Sequence, residues 1–211
     1  MVREDLKDFI KTIPSNVTIV AATKYVEADD MKELYRKGIN NFGENRVDSF
    51  LLKYNELSNL QINWHFIGHL QTNKAKEVVN KIDCLHSLDS LKLAKIINVN
   101  RETPLDCFIE VSINEEETKN GVKVDDLNDF VKEVLKFPKI NLVGFMMMAK
   151  RDSNHNELLD QFRALNIIRG KIENEFKIKT PYLSMGMSDD YKEALQCGAT
   201  HIRLGRILYK Q

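Results

Sequence analysis

Short apolar runs alternate with amphipathic stretches from one end of this chain to the other, and that alternation limits the folds open to it. Val17–Thr23, Ile39–Phe42, Ile62–Ile67, Ile82–His86, Leu105–Val111, Asn141–Met147, Tyr182–Ser184 and His201–Leu204 read as strands. Helical patterns stand before and between them, at Glu4–Ile13, Ala28–Lys37, Arg46–Leu57, Asn73–Lys81, Ser90–Asn98, Asp125–Lys136, Glu157–Phe176 and Asp189–Gln196. Gly38 and Gly198 are plausible helix stops. Strands separated by helices pair in parallel, because a helical crossover returns the chain to the same edge. The expected class is α/β, as a single (β/α)8 TIM-type barrel. A doubly wound open sheet is the runner-up, but no GxGxxG follows the first strand.

The chain has 211 residues. That length fits one barrel domain over residues 1–211 and leaves no room for a second catalytic domain. The 31 basic residues balance the 31 acidic ones, which argues against a non-specific nucleic-acid binder. No apolar run approaches a membrane span. The opening Met-Val-Arg-Glu-Asp has acids where a signal peptide carries basic and apolar regions. Cys84, Cys107 and Cys197 lie far apart without a CxxC pair, which suggests a reducing cytoplasm rather than a disulfide framework or a cysteine zinc site.

In a (β/α)8 barrel, chemistry sits at the carboxyl ends of the strands. Lys24 ends the first strand behind small residues; its neutral amine could form a Schiff base, or it could be a solvated loop lysine. Phe42-Gly-Glu-Asn45 ends the second strand, where Gly43 permits close approach and Asn45 reads equally well as a helix cap. His65 and His69 are four apart, but Gly68 interrupts any helix between them and no third ligand has diagnostic spacing, so a zinc site is not expected. Trp64 and the Met146–Met148 run read most simply as core, and Glu115–Glu117 with Lys119 as a solvated charged loop. The stretch Tyr182-Leu-Ser-Met-Gly-Met-Ser-Asp-Asp190 follows the seventh strand, where barrels often build half of a phosphate site. Ser184 and Ser188 offer hydroxyls there, with capping an open alternative for Ser188. The Gly205 and Arg206 amides at the last helix start form a ready anion site. Arg203, if buried, needs a partner, and a ligand is one candidate.

Thr23-Lys24, Phe42-Gly-Glu-Asn45, His65-Phe-Ile-Gly-His-Leu-Gln-Thr-Asn-Lys74, Leu183-Ser-Met-Gly-Met-Ser-Asp-Asp190 and Ile202-Arg-Leu-Gly-Arg206 occur in this order. In these motifs the chain resembles the pyridoxal phosphate homeostasis proteins, single-domain vitamin B6-binding barrels related to the N-terminal domain of alanine racemase. The resemblance implies a fold-type III barrel holding pyridoxal 5′-phosphate (PLP) as an aldimine on Lys24. It implies that Ser184 and the Gly205–Arg206 amides hold the phosphate, with Ser188 helping. It also implies that Arg203 faces the pyridine nitrogen, with Asn45 and His65 around the ring or the aldimine. Two departures stand out. Many relatives have Thr or Ser where Arg206 stands, and many run on to a Phe-Gly ending where this chain reads Leu-Tyr-Lys-Gln211.

An arginine at the ring nitrogen opposes protonation and weakens the electron sink. Alanine racemases work under that limit with two bases, one of them from a second domain. The expectation is therefore a monomeric carrier or buffer of PLP that maintains vitamin B6 and amino-acid homeostasis without robust turnover. Its expected partners are PLP and PLP-dependent apo-enzymes. The alternative is a PLP-dependent racemase or lyase, with Lys24 as one base and His65 or Tyr25 as another. A metal-dependent hydrolase is disfavoured, because the strand ends lack a cluster of His and Asp ligands.

Overall fold

The computed structural model describes residues 1–114 and 120–209; the charged-loop expectation for Glu115–Glu117 and Lys119 falls outside them. Its strands are β1 (Thr18–Ala22), β2 (Asn41–Glu44), β3 (Asn63–Phe66), β4 (Cys84–Leu88), β5 (Leu105–Ser112), β6 (Val122–Lys123), β7 (Ile140–Met146), β8 (Tyr182–Ser184) and β9 (His201–Leu204). All pair in parallel, in the order β4-β3-β2-β1-β9-β8-β7-β5-β6. A further β4–β5 pairing joins the ends. The sheet is thus a closed eight-stranded barrel with the two-residue β6 attached beside β5, and the open-sheet alternative is excluded.

The helices are α1 (Leu6–Lys11), α2 (Ala28–Arg36), α3 (Val47–Glu56), α4 (Ala75–Val78), α5 (Leu91–Asn100), α6 (Leu127–Val134), α7 (His155–Phe176) and α8 (Tyr191–Gln196). Each contributes buried apolar side chains to one shared core. In α6 these are Leu127, Phe130, Val131 and Val134, spaced for one face of a 3.6-residue helix. Helix α7 starts earlier than expected because Asn154 and Glu157 form a reciprocal capping box. Gly38 and Gly198 stop their helices with φ of +105° and +90°, a conformation open to glycine at little cost.

Two strand positions differ from expectation for the same reason. The Ile39 amide bonds back to the Leu34 carbonyl, and the Ile82 amide to Val78. Both isoleucines therefore close the preceding helical turn. β2 shifts on to include Gly43 and Glu44, and β4 shifts to include Ser87 and Leu88. The expected helix over 73–81 contracts to the single turn of α4, and the closing helix is the 3₁₀ turn Arg206–Leu208. Tyr209 then bridges Val2.

Apolar burial divides into two clusters. One large cluster lies between barrel and helices and includes Phe42, Phe50, Trp64, Phe66 and Phe145, as the core reading of Trp64 requires. A small one, Cys84, Phe108, Val143 and Met146, is separate from it. Met146 and Met147 are buried as expected, while Met148 is 38% exposed. The three cysteines are free and buried. Among the described residues no helix is long and apolar enough to cross a membrane.

Candidate functional site at the carboxyl ends of the strands

A chain of polar side chains crosses the inside of the barrel. Arg203 of β9 donates through Nη1 to Ser184 Oγ at 2.5 Å and through Nη2 to the Met147 carbonyl at 2.9 Å. Ser184 Oγ lies 2.8 Å from His86 Nδ1, His86 Nε2 lies 2.9 Å from His65 Nδ1, and His65 Nε2 lies 3.0 Å from Asn41 Oδ1. The β4-to-β8 link spans strands that are not neighbours, so these groups occupy the barrel interior. The two ends fix every proton between them. A guanidinium only donates, so the Ser184 hydroxyl accepts from it and donates onward to His86 Nδ1. At the far end Asn41 Oδ1 only accepts. Both imidazoles are therefore neutral and carry hydrogen on Nε2, an assignment that follows from the network.

The electrostatics agree with neutral rings. Burial, with help from His201, lowers His65 to about 3. Burial, then His65, His201 and Arg203, holds His86 well below the ordinary imidazole value. His201 falls to about 4, through burial and then Arg203. Burial lowers Arg203 to about 10 against the opposing pull of Glu110 and Asp190. Glu110 rises to about 7, through burial and then Asp89.

The expected histidine pair separates. His69 is half-exposed and sits 2.8 Å from Asp89, while His65 is buried in the barrel. One ligand atom from each of His65, Cys84 and His86 does lie within 4.8 Å of the others. The ring nitrogens there are engaged in the polar chain, and burial pushes the Cys84 thiol well up, towards its protonated form.

Above this floor, the other candidates gather where the parallel strands end. Lys24 lies just beyond β1, exposed, with Nζ 4.6 Å from the Tyr25 ring centroid. Asn45 follows β2. The helix N-cap beside it is Arg46, so Asn45 does not cap. Its Oδ1 is buried with no hydrogen-bond partner among the described residues. Gly68 packs onto it so closely that a Cβ would come within 2.6 Å of Asn45 Cα and Cβ. Ser188 does not cap either, since Asp190 holds that position. Instead Ser188 Oγ accepts from the Gly205 amide at 3.2 Å and the Ile207 amide at 3.5 Å. Arg206 turns outward to an exposed ion pair with Asp189.

The structure thus divides the residues picked out from sequence. Lys24, Asn45, Ser188, Gly205 and Arg206 stand at the strand ends. His65 and Ser184 lie in the polar chain beneath, each held by two partners, and Arg203 is anchored there. Thr23 and Glu44 stand in sequence only as motif residues without an assigned role, and Lys53 and His86 carry no role there either. Glu44 Oε1 accepts from Lys53 Nζ at 2.5 Å and from Thr23 Oγ1 at 2.6 Å. Lys53 had a legible signal, since it falls at i+3 from Phe50 and i+6 from Val47 on the buried face of α3. A lysine in an apolar stripe calls for a buried anion.

The family model described as the alanine racemase N-terminal domain matches residues 3–211. The pyridoxal phosphate homeostasis protein of Aquifex aeolicus is 37% identical over 90% of this chain and 85% of its own. The protein of that name from Synechocystis is 34% identical over 96% and 94%. Among solved structures, PipY of Synechococcus elongatus with PLP bound superposes with a TM-score of 0.92 at 29% identity, covering 98% of this chain and 99% of that one. Alanine racemase of Clostridium difficile shares the fold, with a TM-score of 0.81 at 14% identity, and this chain covers 58% of it. The chain belongs to the alanine racemase N-terminal domain family, among the pyridoxal phosphate homeostasis proteins.

Proposed function

We propose that this protein binds PLP and carries or buffers it as an aldimine on Lys24, serving vitamin B6 and amino-acid homeostasis without robust turnover. The observation that carries the reading is the buried Arg203, whose hydrogen-bond partners are the neutral Ser184 hydroxyl and Met147 carbonyl. A cation held this way suits a ligand atom that accepts a hydrogen bond and stays unprotonated, as a pyridine nitrogen does. Three further features fit the same ligand. Asn45 Oδ1 is a buried acceptor in want of a donor. The Gly205 and Ile207 amides converge on one hydroxyl, Ser188 Oγ, and amides so gathered suit a phosphate. Lys24 is solvent-accessible at the same end of the barrel.

In this reading the phosphate goes to Ser188 and the Gly205–Arg206 stretch. Ser184 and His65 act beneath the ligand, as supports for Arg203 through the polar chain. When bound, PLP supplies an aldehyde for condensation with amines and a ring that can delocalise carbanion charge. Arg203 restrains the second property, because a proton on the ring nitrogen would face its own positive charge. The relatives' homeostasis name accords with a binding role. The protein would act as a monomer in the cytoplasm and hand PLP to apo-enzymes.

The test is hydrogen exchange at Cα of alanine and serine in heavy water, paired with transfer of PLP to an apo-enzyme. Slow exchange with efficient transfer is expected. Exchange at roughly 1–10³ s⁻¹ would replace this reading with a racemase.

A further inference from the structure

The Thr23 peptide, one residue before Lys24, is held at every polar atom. Its amide donates to the Gly43 carbonyl at 3.0 Å. Its hydroxyl donates to Glu44 Oε1 at 2.6 Å and lies 3.3 Å from the Gly43 carbonyl. Its carbonyl accepts from Lys53 Nζ at 2.6 Å and from the Val26 amide at 3.0 Å. Lys53 and Glu44 form an ion pair with side chains 8% and 0% exposed. Glu44 lies between Gly43 and Asn45, so the pair ties the carboxyl end of β1 to that of β2.

Stability alone is a poor account of this arrangement. Two buried charges lose their hydration, and a well-packed apolar pair is often as stable. Glu44 Oε2 is also buried without a hydrogen-bond partner among the described residues, which costs more. The ammonium and the carboxylate do achieve something an apolar pair cannot. They fix the orientation of the Thr23–Lys24 peptide, from which the exposed Lys24 side chain departs.

We infer that Lys53 and Glu44 are positioning residues for Lys24: through Thr23 they hold its main chain where its amine meets an aldehyde bound at the strand ends. The inference rests on the proposed aldimine and deepens it. In that condensation the Lys24 amine attacks the aldehyde carbon, a C=N bond forms, and one water leaves. Geometry of this kind would control capture more than occupancy, since the residues proposed to hold the ring and the phosphate do not include Lys24.

The experiment compares two probes on the intact protein. Pyridoxine 5′-phosphate has no aldehyde and reports binding alone; pyridoxal 5′-phosphate reports binding plus capture, by its visible absorbance. The double variant Glu44→Gln/Lys53→Met leaves no lone buried charge. It is expected to bind pyridoxine 5′-phosphate within about twofold of wild type and to capture pyridoxal 5′-phosphate roughly tenfold less well. Thr23→Val removes the hydroxyl link with no change of charge and carries the same test if the double variant fails to fold; capture is again expected to fall relative to binding. Equal losses with both probes, or no loss with either, would overturn the inference. A borohydride-reduced wild-type adduct on another lysine would overturn the aldimine reading with it. An adduct on Lys24, with the ratio unchanged in the variants, would overturn this inference alone.

Discussion

Among the described residues two cations are buried, Lys53 and Arg203, and their surroundings differ. Lys53 lies outside the barrel wall and closes on Glu44 and the Thr23 carbonyl. Arg203 lies inside and hydrogen-bonds to a neutral hydroxyl and a neutral carbonyl, with Glu110 and Asp190 acting on it as charges. The first arrangement is complete in itself and holds backbone. The second leaves the guanidinium available to a ligand, on a floor whose histidines are kept neutral by burial. The difference teaches that burial of charge serves two ends here, locking the frame in one place and preparing a site in the other.

The largest effect should come from breaking the closed pair. Lys53→Met strands the Glu44 carboxylate in an apolar shell and should cost about 3–5 kcal/mol of unfolding free energy, read by urea denaturation. Removing both charges together should recover most of that loss. If the single variant were as stable as wild type, the pair would be of no structural consequence and the contrast would fail.

Arg203→Met strands no directly bonded carboxylate. It takes donors from Ser184 Oγ and the Met147 carbonyl and should cost about 1–3 kcal/mol, less than Lys53→Met by the same measurement. A larger loss than at Lys53 would make Arg203 a structural strut.

Acid should loosen the floor beneath Arg203. His65, with a folded value of about 3, and His201, at about 4, both titrate near 6.5 when unfolded, and His86 is shifted the same way. Below 6.5 the unfolded chain therefore binds more protons, and stability falls as pH falls. Glu110, raised from 4.5 to about 7, works the opposite way between those values, and Asp190, raised by burial, does so at lower pH, two groups against three. Net loss on acidification from 6.5 is expected. His65→Gln should shrink the slope by about 1.4 kcal/mol per pH unit, measured from unfolding curves at several pH values. An unchanged slope would mean His65 is already charged in the fold.

The smallest effect belongs to the exposed pair. Arg206→Ala should leave both stability and PLP affinity within error, because its partner Asp189 is solvent-exposed. A clear drop in PLP affinity would show that the Arg206 side chain, and not only its backbone, takes part in binding.

Much of this was legible in sequence, for identifiable reasons. Strand and helix periodicity expose a parallel barrel, since each element's burial pattern is local. The strand-end rule then picks out Lys24, Asn45 and Ser188. Local reasoning failed where a side chain has two competing uses. Ser188 and Asn45 look like helix caps, yet Asp190 and Arg46 hold those positions. The resemblance implies that Ser184 holds the phosphate; nothing along the chain announces that its hydroxyl also bonds Arg203 and His86, which lies 98 residues away. The polar chain from Asn41 to Arg203 depends on barrel closure, and no spacing along the sequence announces it.

The central claim is that Lys24 is the residue that holds PLP. The direct measurement is borohydride reduction of the PLP-loaded protein, followed by proteolysis and mass spectrometry of every lysine-containing peptide. The account predicts a pyridoxyl group on Lys24 at near-full stoichiometry, with Lys53 and Lys74 unmodified. A stoichiometric adduct on Lys74 or any other lysine, or loss of all adduct on reduction, would contradict it.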